Sequence, residues 1–436
     1  MMKRFLFCCL FPAFNAQAAD LLTIYRDAIA HDASFAAARA SFDASREKLP
    51  QGRAGLLPVI GLSANTTHND ADATSRTTGV TTGAQYNSNG WTVTLSQPLF
   101  RWQNWTGYQK AELVVAQAEA QFAVSKQDLA VRAAQAYFDV LLAQEAVATA
   151  QAQKAAIAEQ LESAKRNFEV GTATITDTHE AQARFDLATA QEIAAQNDLT
   201  VKRQTLSSMI GKAPDVLKAF RGGAKIGPPQ PDDIGKWAET AEAGNLAVQQ
   251  ARAALEIAGR EVETQKAGHY PTLDLVATHG RSGTGYSSTG SGSDSKSSTL
   301  GLQLAIPLFS GGATVSKERE AVALREKSLA DLDNARRAAA LSARQAYLGV
   351  TSGLAQIRAY EAALASSQSA LDSNKLGYEV GVRINIDVLN AQGQLFDTRQ
   401  KLARARLDTL VSQLKLKAAA GSLSEEDVAA INALLE

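Results

Sequence analysis

The five histidines, His31, His68, His179, His269 and His279, are scattered, with no spacing that suits metal ligation. His179 stands two residues from Asp177, but a helix points such neighbours apart. The glycine-rich run Gly280 to Gly292 lacks the strand-to-helix setting of a phosphate loop, and no nucleophile elbow occurs. What remains is a pair of carboxylates, Asp177 and Asp387, each six residues beyond a Val-Gly step and 210 residues apart. Taken alone, each reads as an acid in the first turn of a helix, where the macrodipole favours negative charge. Neither an enzyme nor a cofactor or metal is expected.

The spacing of that pair is general. Phe168-Glu-Val-Gly171 through Asp177 recurs as Tyr378-Glu-Val-Gly381 through Asp387, and the same shift takes Tyr137 to Tyr347 and Gly211 to Gly421. Gln97-Pro98-Leu99-Phe100 recurs as Ile306-Pro307-Leu308-Phe309, and Leu57-Pro58 answers Tyr270-Pro271. Two copies are too few for a solenoid, so one structural unit has been duplicated. The first repeat covers 19–210 and the second 237–421, with a Pro-rich linker or small subdomain at 211–236 and a tail at 422–436. Ser424, Glu425 and Glu426 predict a short capping helix in the tail.

Each repeat predicts a helix (21–49, 237–267), two strands around a polar loop, a very long helix, a tight turn and a last helix. The long helices are expected over 105–170 and 314–376, the last ones over 175–209 and 386–420. The first long stretch holds no proline and one glycine, and would extend about 100 Å as a single helix. Its charges exclude a membrane span, so it must pack along its length, in a coiled coil or helical tube. Val124, Val131 and Phe138 recur every seven residues, as do Ala134, Leu141 and Ala148, with Gln127 breaking the second series.

The strands are expected near 58–68, 90–100, 271–280 and 299–309, with loops at Asn69–Asn89 and Gly280–Ser298. Ile60, Leu62 and Ala64 alternate with smaller or polar residues, as do Trp91, Val93 and Leu95, then Leu273, Leu275 and Ala277, then Leu300, Leu302 and Leu304. Ten residues is the length of a membrane β-strand, although a small soluble sandwich has the same alternation. Phe100, Trp102, Trp105 and Tyr108 gather where the second strand meets the long helix, with Phe309 at the matching place. Such rings suit a membrane–water boundary, and also suit a plain core. Four strands cannot close a barrel, and lipid does not tolerate open edges. Three chains would supply twelve strands.

Lys3 and Arg4, the apolar run Phe5 to Phe14 and Ala16-Gln17-Ala18 read as a signal peptide over 1–18. Both cysteines, Cys8 and Cys9, lie inside it, so no disulfide framework is expected in the mature chain. The net charge of −1 gives no electrostatic reason to expect a nucleic-acid partner.

With these motifs in hand, the chain resembles the TolC family of outer-membrane channels, which serve type I secretion and drug efflux in Gram-negative bacteria. The resemblance is most specific from Gly377 to Asn390, from Val170 to Asp177 and from Ala420 to Asp427. It implies a mixed α and β membrane protein: a homotrimer with a twelve-strand β-barrel, four strands per chain, on a long α-helical coiled tunnel. It implies an outer-membrane location in contact with lipid, the helical part in the periplasm, and export of proteins or small toxic compounds. Its implied partners are a periplasmic adaptor and an inner-membrane transporter of the ABC or proton-driven type. It also implies a selectivity ring at Asp387, where the family often has a second Asp and this chain has Asn390. Thr176, Asp177, Tyr378 and Arg383 match the links that hold the tip closed, and Gly171 and Gly381 the turns where the adaptor docks. Phe100, Trp102, Trp105 and Phe309 would mark the membrane interface. The alternative is a periplasmic coiled-coil adaptor or scaffold without a barrel.

Overall fold

A computed structural model describes residues 19–172, 174–221, 223–285 and 291–436. The signal peptide expected over 1–18 and the middle of the loop Gly280–Ser298 lie outside the described residues. In chain order come α1 (Leu21–His31), α2 (Ala33–Arg46), α3 (Lys48–Ala54), β1 (Val59–Thr74), β2 (Thr81–Phe100), α4 (Trp102–Glu169), α5 (Ile175–Ile210), α6 (Ile234–Gly244), α7 (Leu246–Lys266), β3 (Thr272–Thr284), β4 (Ser293–Ala305), α8 (Ala313–Glu379), α9 (Asn385–Ala419) and α10 (Glu425–Asn432). Among the described residues no helix is long and apolar enough to cross a membrane.

The chain divides into two compact units. One comprises Ser41–Gln121 and Gln249–Ala335 and carries a four-stranded antiparallel sheet in the order β1-β2-β3-β4. Its register aligns Ile60, Leu95, Ala277 and Leu300 across the sheet, and Leu275 faces Leu302. The four alternating apolar sets therefore share one face. Much of that face is exposed, with Leu62 at 71% and Leu300 at 74%. Among the described residues β1 pairs only with β2 and β4 only with β3, so both outer edges are unpaired.

The strands run further than their apolar alternation. β1 continues to Thr74 and β2 begins at Thr81, through what the sequence suggests is a loop, and β3 and β4 likewise extend to Thr284 and from Ser293. Beyond Asn65 both faces of β1 carry polar residues, which erases the period-two signal while the backbone ladder continues. Side-chain bonds support the extension: Gln85 Nε2 donates to Asp70 Oδ2 at 3.0 Å, and the hydroxyls of Thr74 and Thr81 meet at 2.9 Å. At its other end β4 stops at Ala305, short of the expected 309, because Pro307 has no N–H to offer a ladder.

The second unit comprises the described residues up to Ala40 together with Phe122–Val248 and Arg336–Glu436. Its core joins Leu21, Ile24 and Tyr25 of α1 to Leu129, Tyr137 and Phe138 of α4, Leu206 and Ile210 of α5, Leu410 and Leu414 of α9, and Val428 and Ile431 of α10. Ala133 and Ala134 are fully buried, so the helix backbones approach closely. The Tyr137 hydroxyl donates to the Lys218 carbonyl at 2.6 Å, and burial pushes its pKa well above the ordinary phenol value. The linker meets the tail through reciprocal backbone bonds of 3.0 and 2.9 Å between Ala219 and Glu436.

The single helices expected at 21–49 and 237–267 are broken. Asp32, with an extended backbone, and Asn245, at φ −59° and ψ 133°, interrupt them. Asp32 Oδ1 accepts from the Phe35 N–H at 2.7 Å, and Asn245 Oδ1 from the Ala247 N–H at 2.9 Å, so each side chain restarts a helix. Apolar periodicity survives such a short break, which hides it in the sequence. α10 begins with a capping box between Ser424 and Asp427.

Candidate functional site

Two interhelical turns, α4 to α5 and α8 to α9, carry the residues singled out by the duplication. Gly171 at φ 82° and Gly381 at φ 78° take the left-handed conformation. Behind each, the next N–H reaches back five residues: Thr172 to the Asn167 carbonyl at 2.8 Å, Val382 to the Gly377 carbonyl at 2.9 Å. An added Cβ would meet nothing within 4 Å at either glycine, so the backbone angle alone sets the requirement. Val170, Val380, Val382 and Ile384 are exposed around these turns.

The two carboxylates occupy equivalent third positions of α5 and α9, yet they do different things. Asp177 is engaged in a capping box. Its Oδ2 accepts from the Thr174 N–H at 2.9 Å and from the Thr174 hydroxyl at 2.8 Å, and its own N–H bonds to Thr174 Oγ1 at 3.3 Å. At the start of α9 the cap position holds Ile384, which has no side-chain oxygen to complete such a box. The Asp387 N–H bonds only to the Ile384 carbonyl, at 3.1 Å. Its carboxylate is thereby released from the backbone and lies 3.6 Å from Arg383 Nη1 of the preceding turn, an ion pair whose Asp387 side chain is 33% exposed.

Around them, the Tyr378 hydroxyl accepts from Asn167 Nδ2 at 3.0 Å and ties α8 to α4. Thr176 is exposed, and among the described residues its side chain has no hydrogen-bond partner. Among the described residues no hydrogen bond or ion pair joins Thr176 or Asp177 to Tyr378 or Arg383. Asn390 is exposed, and its Oδ1 accepts from Arg184 Nη2 of α5 at 3.0 Å. The sequence reading missed Arg184, although it stands seven residues after Asp177 and so near the same helix face.

Behind the turns the helices pack through small apolar clusters: Ile157, Ala188 and Leu389 in one, Leu371, Val388 and Leu395 in another. Gln160 Nε2 bonds to Asn385 Oδ1 inside this packing. Higher up, Lys154 Nζ meets Glu192 Oε2 at 3.0 Å, and that bond holds the Glu192 carboxyl below its usual pKa. Among the described residues no group of His, Cys, Asp and Glu is placed to hold a metal ion.

In the sheet unit, Phe100, Trp102, Trp105 and Phe309 are all exposed at the strand–helix junction. Beneath the rings, Arg101 closes on Asp274 through two bonds, Nε to Oδ1 at 2.8 Å and Nη2 to Oδ2 at 2.6 Å. The Asp274 side chain is 8% exposed and that of Arg101 42%. Neither residue stood out in the sequence, because their pairing depends on the β2–β3 register.

Comparison with known proteins places this geometry. The model of a family described as outer membrane efflux protein matches residues 24–212 and 237–422, one stretch per repeat. The chain is 32% identical to outer membrane protein TolC of Vibrio cholerae over 96% of this chain and 94% of that protein. It is 34% identical to the alkaline protease secretion protein AprF of Pseudomonas aeruginosa, over 98% and 91%. The fold matches the CmeC outer membrane channel of Campylobacter jejuni with a TM-score of 0.81 at 15% identity, covering 95% of this chain and 90% of that one.

Proposed function

The chain belongs to the outer membrane efflux protein family, and from that premise we propose how it works as an export channel of the outer membrane. Three copies pool their sheets into one twelve-strand barrel in lipid, and their helices into a tunnel in the periplasm. The observation that carries this reading is the sheet itself: four strands, two unpaired edges and one exposed apolar face. Lipid tolerates no unpaired backbone edge, so closure needs other copies. An adaptor or scaffold without a barrel leaves that face and both edges unexplained. The duct is passive. An inner-membrane transporter, ABC or proton-driven, supplies the energy through a periplasmic adaptor, which docks at the turns of Gly171 and Gly381, where valines are exposed. Proteins or small toxic compounds are the cargo; the secretion of a protease named for AprF makes a protein the first to test. Fractionation decides the assembly: a heat-modifiable trimer in the outer-membrane fraction is the expected result, and a soluble monomer in the periplasmic extract overturns it.

At the tip, Asp387 and Asn390 form the selectivity ring, and Thr176, Asp177, Tyr378 and Arg383 supply the links that hold it closed. The release of the Asp387 carboxylate from capping supports its role, because a ring of such groups attracts cations. Asp387→Ala should lower the cation-to-anion permeability ratio of single channels in planar bilayers by about twofold or more, the scale of one screened unit charge per chain near the pore. An unchanged ratio removes Asp387 from the ring.

A further inference from the structure

We infer that Arg184 sets the ion selectivity of the constriction by holding an uncompensated positive charge against Asn390 in every chain. The inference rests on the reading of Asp387 and Asn390 as the ring and deepens it. Arg184 projects from α5, is exposed, and donates from Nη2 to Asn390 Oδ1 at 3.0 Å across to α9. Among the described residues it makes no ion pair, although Glu180 stands one turn before it on the same helix. An amide accepts a hydrogen bond without cancelling charge, so the guanidinium keeps its full positive unit.

The contrast with Asp387 gives the consequence. That carboxylate already faces Arg383 Nη1 at 3.6 Å. Asp387, Asn390 and the side chains bonded to them thus amount to one carboxylate, one amide and two guanidiniums per chain. The two guanidiniums therefore offset the pull of Asp387 on cations, where two carboxylates per chain would strengthen it. Asn390 matters here less as a missing acid than as the neutral seat of Arg184. Were residue 390 an aspartate, the same bond would become a charge-assisted pair and the excess would vanish.

The test is the reversal potential of purified trimers in planar bilayers under a KCl gradient. Arg184→Gln keeps a donor for Asn390 and removes the charge; it should raise the cation-to-anion permeability ratio about twofold or more. Arg184→Lys, which restores the charge without the planar fork, should return the ratio towards that of the unaltered protein. Asp387→Asn, run in parallel, should lower it. If Arg184→Gln leaves the potential unmoved while Asp387→Asn shifts it, the ring stands and the role of Arg184 is rejected. If neither moves it, the ring reading itself fails and takes this inference with it. A lysine variant that behaves like the glutamine variant rejects charge as the cause.

Discussion

Gly421→Ala should largely abolish the folded trimer, whereas Gly211→Ala, at the equivalent place in the first repeat, should leave it assembled and only slightly less stable. Both glycines end a helix with positive φ, 74° and 73°, so any L side chain costs about 1–2 kcal/mol in backbone energy at either place. What differs is the neighbour. A Cβ on Gly211 would meet the His31 side chain at 2.9–3.0 Å, and a side chain has some room to turn. A Cβ on Gly421 would land on the backbone carbonyl of Gly244, with the Asn245 Cα 3.2 Å away. His31 and Gly244 are themselves counterparts, the last residues of α1 and α6. In the second repeat two facing glycines let the ends of α6 and α9 meet backbone to backbone, and relieving that overlap means parting the helices. The added cost should bring the total to about 4 kcal/mol or more, in the range of the severest single substitutions. Trimer yield on unheated gels and the temperature at which it dissociates would measure both variants; equal losses would refute the asymmetry.

The second large effect is expected at the strand–helix junction, and it is also asymmetric. Arg101→Met keeps the aliphatic stem but strands the Asp274 carboxylate, whose side chain is 8% exposed, without its cation. An uncompensated buried charge costs about 3 kcal/mol or more. The reverse change, Asp274→Asn, strands Arg101, but that guanidinium is 42% exposed and water can take over its bonds. Its loss should be about 1 kcal/mol, that of one hydrogen-bonded interaction. Combining the two should recover part of the Arg101→Met loss, because no lone carboxylate then remains. Trypsin resistance of the barrel and the dissociation temperature report both. Should Asp274→Asn prove the more damaging, burial of the acid is not what makes the pair matter.

How much of this can be read in the sequence depends on whether a feature is repeated or unique. The duplication, the alternation of Ile60, Leu62 and Ala64 and of the matching sets, and the turn glycines Gly171 and Gly381 are periodic or paired, so they stand out without coordinates. The breaks at Asp32 and Asn245 do not, because one polar residue in an apolar period looks like an ordinary surface position. The upper strands are hidden for a related reason: residues such as Asn69, Asp70 and Asp72 have low strand preference, and the cross-strand ladder holds them extended. In the candidate site, the different surroundings of Asp177 and Asp387 were within reach of capping rules, since Thr174 can cap a helix and Ile384 cannot. Arg184 was not. Its importance comes from Asn390, 206 residues further on, and pattern alone does not say that α5 and α9 meet there.

The length of the first hairpin reaches beyond the bilayer. β2 has 20 residues, which at about 3.4 Å each makes roughly 68 Å of strand. Even tilted by about 45°, that strand is tall enough to cross a hydrocarbon layer of about 30 Å with about 18 Å to spare. The surplus lies at the turn from Ser75 to Val80, away from the helices, and so outside the cell. The protein therefore raises an ordered polar spike above the surface it perforates, and an epitope spliced beside Gly79 should be accessible to antibody on living cells.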